Sequence, residues 1–175
     1  MAWCGEDLIL LPQYPDRFKV DGSASVFSIP KSVLEGYISG ESREGIQPQQ
    51  IAFNSGNIKT MVMGFEGFEA IVFAGEDVFV TIEARQGDGM MGYLVKGVVA
   101  DNCNGLTLDP ETLVPLLPQA DISNMSHETL VVFEGVLAVI FEANGVNVNP
   151  NPIVHVFDLL LESHSTMAMP NIEYR

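Results

Sequence analysis

Positive charge is what this chain has least of. Its 175 residues carry 8 Lys and Arg against 23 Asp and Glu, for a formal net charge of −15 at pH 7. Only Arg17, Lys19, Lys31, Arg43, Lys59, Arg85, Lys96 and Arg175 are available to meet phosphates. A general nucleic-acid binder with an exposed basic patch is therefore disfavoured. The acids are scattered singly rather than in dense runs, which fits a soluble, self-repelling surface better than a decoy for nucleic acid. Cysteine is nearly as scarce. Cys4 and Cys103 lie far apart and outside any Cys-x-x-Cys pair, so no disulfide framework of the secreted kind is present. One bridge between them is open, but buried, idle thiols are the expected state. Trp3 is the only tryptophan and is expected to pack the N-terminal segment onto the body. No apolar run has the length of a membrane span, which speaks against a membrane partner. The first residues lack a basic segment followed by a long apolar one, so no signal peptide is expected. The expected setting is cytoplasmic, the host cytoplasm if the source is viral.

Apolar side chains are plentiful, at 47%. A chain of this length can bury about 70% of its unfolded surface without help from metals or disulfides. The stretch from Lys59 to Ala100 holds four short apolar runs, separated at Glu66-Gly67, Gly75-Glu76-Asp77 and Gln86-Gly87-Asp88-Gly89. Runs rich in Val, Ile and Phe and bounded by Gly and Asp are strands joined by tight turns. In one run Val78, Val80, Ile82 and Ala84 share a face, while Phe79, Thr81, Glu83 and Arg85 share the other. That period of two predicts a half-buried strand with one wet face. Upstream, Ala24 to Ile29 reads as a strand and Pro30 to Ile38 as a short helix, with Ser28 as candidate N-cap. Downstream, Asp109-Pro110-Glu111 signals a second helix start, and Pro115 and Pro118 limit that helix to two turns. Thr129 to Phe133, Val136 to Phe141 and Ile153 to Leu161 read as strands. The expected organisation is an irregular N-terminal extension over 1–23, a single α+β domain over 24–162 and a flexible C-terminal tail over 163–175.

An internal similarity refines this reading. Phe65-Glu66-Gly67-Phe68-Glu69-Ala70-Ile71-Val72-Phe73 aligns with Phe133-Glu134-Gly135-Val136-Leu137-Ala138-Val139-Ile140-Phe141, identical at five of nine positions. Each copy is preceded by a strand and a Pro-opened helix, so both halves, about 24–85 and 91–161, read β-α-β-β-β. The expected fold is α+β: two duplicated halves form one pseudo-two-fold, sheet-rich domain with two short helices. This pattern, with Phe27-Ser28-Ile29-Pro30-Lys31-Ser32-Val33-Leu34 and the paired strands from Glu128 to Glu142, resembles one domain of a DNA sliding clamp. The resemblance implies a non-catalytic, single-domain processivity factor, a viral one included. It would self-associate into a homo-oligomer through strand edges, with a DNA polymerase and duplex DNA as partners. Lys31 and Arg43 are the DNA-binding residues it implies. The chain departs from the clamp pattern where the second helix carries Asp109 and Glu111 in place of cations.

No motif names a reaction. Cys103, beside Asp101 in a Gly-flanked turn, is the best nucleophile candidate, with His127, His155 or His164 as base. A turn thiol and a satisfied structural His155 are the plainer readings. Gln86 to Gly92 lacks the Lys and Ser/Thr of a phosphate loop. Asp101 to Gly105 starts like a calcium loop but has Thr112 where a Glu is needed. Neither a catalytic residue nor a metal or cofactor is therefore expected. Two alternatives stand beside the processivity factor: a viral structural or inhibitory protein that binds a host or capsid protein, and a small cysteine hydrolase.

Overall fold

The computed structural model describes residues 1–20, 22–120, 125–145 and 147–170. It is sheet-rich, with two short helices. In chain order come β1 (Ala2–Cys4), β2 (Asp7–Leu10), β3 (Lys19–Val20), β4 (Ser23–Pro30), α1 (Lys31–Ser39), β5 (Gln49–Asn54), α2 (Ile58–Met61), β6 (Phe65–Ala74), β7 (Asp77–Gln86), β8 (Gly89–Val99), β9 (Gly105–Leu108) and β10 (Val114–Leu116). These ten strands form one sheet in the order β1-β2-β4-β5-β9-β8-β7-β6, with β3 beside β4 and β10 beside β8. The pairings are antiparallel except β5 with β9. A second sheet holds β11 (His127–Phe133), β12 (Val136–Phe141), β13 (Ile153–Asp158) and β14 (His164–Ala168), in sequence order.

The large sheet curls into a nearly closed barrel. Phe68 N–H donates to the carbonyl of Gln13 at 3.0 Å, tying β6 back to the N-terminal segment. The inward residues are Ile9, Val26, Phe53, Phe68, Val78, Val80, Ile82, Val95 and Leu106, all buried. Ile58 of α2 is fully buried in this same core. The four-stranded sheet covers the outside of the barrel. Phe79, Leu94 and Leu116 of the barrel meet Leu137, Val139 and Phe157 of the small sheet. Lys96 spans this seam. Its ammonium sits 2.9 Å from Asp77 Oδ2 and donates to the Leu159 carbonyl at 3.0 Å.

Several expectations are corrected. The face of β7 expected to be wet is buried at Phe79, Thr81 and Glu83, because the second sheet lies over them, and is exposed only at its end, Arg85. The second predicted helix is absent. Pro110–Thr112 makes a single 3-10 turn capped by Asp109, whose Oδ1 accepts from Glu111 N–H at 3.1 Å. The chain then runs into β10, since the residue before Pro115 is steered away from helix. The second helix is instead α2, one turn long. Ser28 does not cap α1. Pro30 stands at that position, and Ser28 Oγ donates to Asp7 Oδ1 at 3.1 Å. The N-terminal extension contributes β1 and β2 to the barrel, and residues 164–168 of the expected tail are β14. Residues 171–175 of that tail lie outside the described residues.

The aligned nine-residue stretches take different backbones. Glu66-Gly67 lies within β6, at a bulge, whereas Glu134-Gly135 is the tight turn between β11 and β12, with φ of 49° and 80°. Identical letters thus serve a strand in one place and a turn in the other, and the two-half duplication gains no support from them.

Candidate functional site

The seam between the sheets gathers charge that the sequence scatters. Glu83 on β7 pairs in register with Gly67 of β6 and Gly92 of β8. Residues paired across strands point to the same face. Above that face stands the start of β11: a Cβ on Gly92 would lie 2.6 Å from His127 Nδ1 and 3.2 Å from Ser126 Oγ. Glycine is required there because His127 occupies the space. Glu66 and Glu69 come from β6, and Glu128 and Glu142 from β11 and from the end of β12. Ser126 fixes Glu142 twice: its N–H donates to Glu142 Oε1 at 2.7 Å, and its carbonyl accepts from Glu142 N–H at 3.0 Å.

Five glutamates thus act on one another's charge, and among the described residues Arg85 is the cation paired within the group. Arg85 Nε donates to Glu66 Oε1 at 2.7 Å and Nη2 donates to Glu66 Oε2 at 3.3 Å. That bond holds the Glu66 carboxyl below its ordinary range. The others go the opposite way. Burial, then the charges of Glu69, Glu66, Glu128 and Glu142, push Glu83 up to about 7. Burial raises Glu69 against the pull of Gln13, whose amide donates to Glu69 Oε1 at 3.1 Å. Burial and the neighbouring Glu142 raise Glu128. Glu83 is 5% exposed, and its Oε1 has no hydrogen-bond partner. Glu128 and Glu142 lie at the solvent side and leave the cluster open there.

The three histidines of the chain continue the seam. His155 Nδ1 and His164 Nε2 are 2.9 Å apart, and His164 stacks on Phe157 at 4.4 Å between centroids. His127 lies 5.3 Å from His155 and is fully buried, with neither ring nitrogen bonded. Burial, then the proximity of His155, lowers His127 to about 3, and burial also lowers His155. The imidazoles of His127 and His155 are therefore neutral at physiological pH. No group of three His, Cys, Asp or Glu is arranged to hold a metal ion among the described residues.

The residues singled out from sequence fall elsewhere. Lys31 opens α1 and pairs with Glu6 at 3.5 Å. Arg43 is exposed in the loop after α1, which also carries Glu41 and Glu44. Of the other cations among the described residues, Lys59, Arg85 and Lys96 each pair with an acid. Cys103 is no free thiol. It is bridged to Cys4, with Cα atoms 6.1 Å apart, which corrects the expectation of idle thiols and removes it as a nucleophile while bridged. The glutamate cluster was missed because period-two patterning assigned Glu83 to a wet face. The signal that could have flagged it is Phe79, a large apolar residue on that same face.

The fold and seam define a class in structural terms only: a nearly closed barrel with a second sheet packed on its outer face. Comparison with protein-family models, curated proteins and solved structures finds no match. No helix among the described residues is long and apolar enough to cross a membrane.

Proposed function

We propose that this protein is a non-catalytic binding module whose acidic face, formed by Glu66, Glu69, Glu83, Glu128 and Glu142, seats a basic side chain of a protein partner. One observation carries the reading: five carboxylates share a face with a single arginine, and three of them are held above their ordinary pKa range. Such a cluster stores like-charge repulsion in the free protein. A Lys or Arg arriving from a partner relieves it, so the energy of the unpaired acids becomes binding energy. The net charge of −15 would add long-range steering toward a basic partner.

The test is a titration of the protein with an Arg-rich peptide at low salt, followed by amide chemical shifts. Shifts confined to β6, β11 and β12, and lost in Glu128→Gln/Glu142→Gln, are expected. Shifts spread over the whole surface, or unchanged in that variant, would overturn the reading. The clamp-like, DNA-tethering alternative predicts instead that duplex DNA is retained and released by charge reversal at Lys31 and Arg43. Self-association through strand edges finds its support in β14, an edge strand whose five residues are all exposed. A solution mass above that of a monomer, lost when proline replaces Thr166, would establish it. The Cys4–Cys103 bridge favours an oxidising compartment over the cytoplasmic setting expected from sequence.

A further inference from the structure

Glu83 stands apart from the rest of the acidic face. It is the one buried member, its Oε1 is unpartnered, and its cross-strand neighbour Gly92 lies directly under the buried His127. We propose that seating a basic side chain on this face expels the proton carried by Glu83, so that partner binding is coupled to proton release. The inference rests on the reading of the face as a cation-binding surface and adds its control by pH.

The groups facing Glu83 fix the sign. Glu66 and Glu69 look toward it from β6, Arg85 from its own strand, Glu128 and His127 from β11, and Glu142 from β12. From β13 and β14, His155 and His164 stand behind His127. In the free protein, Glu83 adjoins four carboxylates and an uncharged, buried imidazole, so it keeps its proton up to about pH 7. A guanidinium or ammonium within about 6 Å favours the carboxylate and draws Glu83 back toward the ordinary range. The proton leaves to solvent, and no bond is made or broken in the chain. His127 and His155 are already neutral, so an arriving cation releases nothing from them. Among the described residues, only Glu83 combines burial, a missing partner and an ordinary range far below its position in the free protein.

The experiment is calorimetry of the full chain with an Arg-rich peptide at pH 6.5, in two buffers of different ionisation enthalpy. With the free carboxyl titrating at about 7, roughly three-quarters of Glu83 is protonated at that pH, so about 0.7 proton should be released per complex. Affinity should correspondingly rise about tenfold from pH 6 to pH 8. In Glu83→Gln the buffer dependence and the pH dependence of the binding that remains should both vanish. Binding with no buffer dependence, or with the same dependence in Glu83→Gln, would overturn the coupling and leave the binding face intact. Absence of any peptide binding would remove both proposals. If Glu83→Gln does not fold, the wild-type pH dependence decides alone: an affinity flat between pH 6 and 8 contradicts the coupling.

Discussion

The two cores of this protein solve the same packing problem with different chemistry. The barrel interior is built almost wholly of Ile, Val, Leu and Phe, and the Cys4–Cys103 bridge closes over it. The inter-sheet seam also buries large apolar groups, Phe79, Leu137 and Phe157 among them, but shares its volume with Thr81, Glu83, His127 and His155. One of these is satisfied: Thr81 Oγ1 accepts from Ala70 N–H at 3.0 Å, at a point where the β6–β7 ladder shifts register. Glu83, His127 and His155 are left with unpartnered atoms. An unpaired buried polar atom costs about 1–3 kcal/mol, so the seam forgoes more stability in this way than the barrel strands, where Ser25 Oγ on β4 is left unpartnered. Groups held at such a cost respond to charge and protons, whereas a dry apolar core does not. That contrast supports the proposed role of the seam, with the barrel as its scaffold.

The comparison can be broken first by truncating each core. Phe53→Ala in the barrel and Phe157→Ala in the seam should each cost about 3–5 kcal/mol. The first should lower protection from hydrogen exchange throughout. The second should lower it chiefly in β11 to β14. Equal loss everywhere from Phe157→Ala would show that the seam is not a separate unit.

Removing the bridge with Cys4→Ser/Cys103→Ser comes next, at about 2–4 kcal/mol in denaturant unfolding. It should leave the small sheet's exchange pattern unchanged relative to the barrel's.

Glu83→Gln acts in the opposite direction. The folded carboxyl titrates at about 7, above its unfolded value near 4.5. Its stabilising term is therefore complete below about pH 4.5 and is lost as pH rises through 7. The Gln variant should match wild type near pH 4.5 and be more stable by about 1–3 kcal/mol at pH 8. A variant less stable than wild type at pH 8 would refute the account of Glu83.

The smallest effect belongs to Lys96→Met, at about 1–2 kcal/mol. It keeps the buried stem but removes the pair with Asp77 within the barrel and the bond to Leu159 that crosses the seam. Its signature should be faster exchange in the turn after β13.

The barrel's meander was legible in the sequence because local signals decided it. The turn at Gly75-Glu76 and the Gly87-Asp88 turn stand where Gly and Asp predicted them, and α1 begins right after Pro30. What eluded the sequence depends on partners distant along the chain. Whether the Phe79, Thr81 and Glu83 face is wet depends on a sheet that begins more than forty residues later. Pro110 signalled a helix, but pairing of Val114 to Leu116 with β8 won over it. The strand His164–Ala168 has no apolar period, because both its faces are exposed; it is ordered by pairing with β13 and by Asp158, whose carboxylate accepts N–H groups of Leu160, Glu162 and Ser163, each at 3.0 Å. The candidate site was hidden for the same reason as the seam: its five glutamates come from four strand regions and meet only when the second sheet docks.

The most direct measurement is a carbon-13 NMR titration of the Glu83 side-chain carboxyl in the free protein, assigned with Glu83→Gln. The account predicts a midpoint near 7. A midpoint near 4.5 would mean that the carboxylates of this face do not feel one another or their burial, and the case for a cation-seeking surface would fall with it.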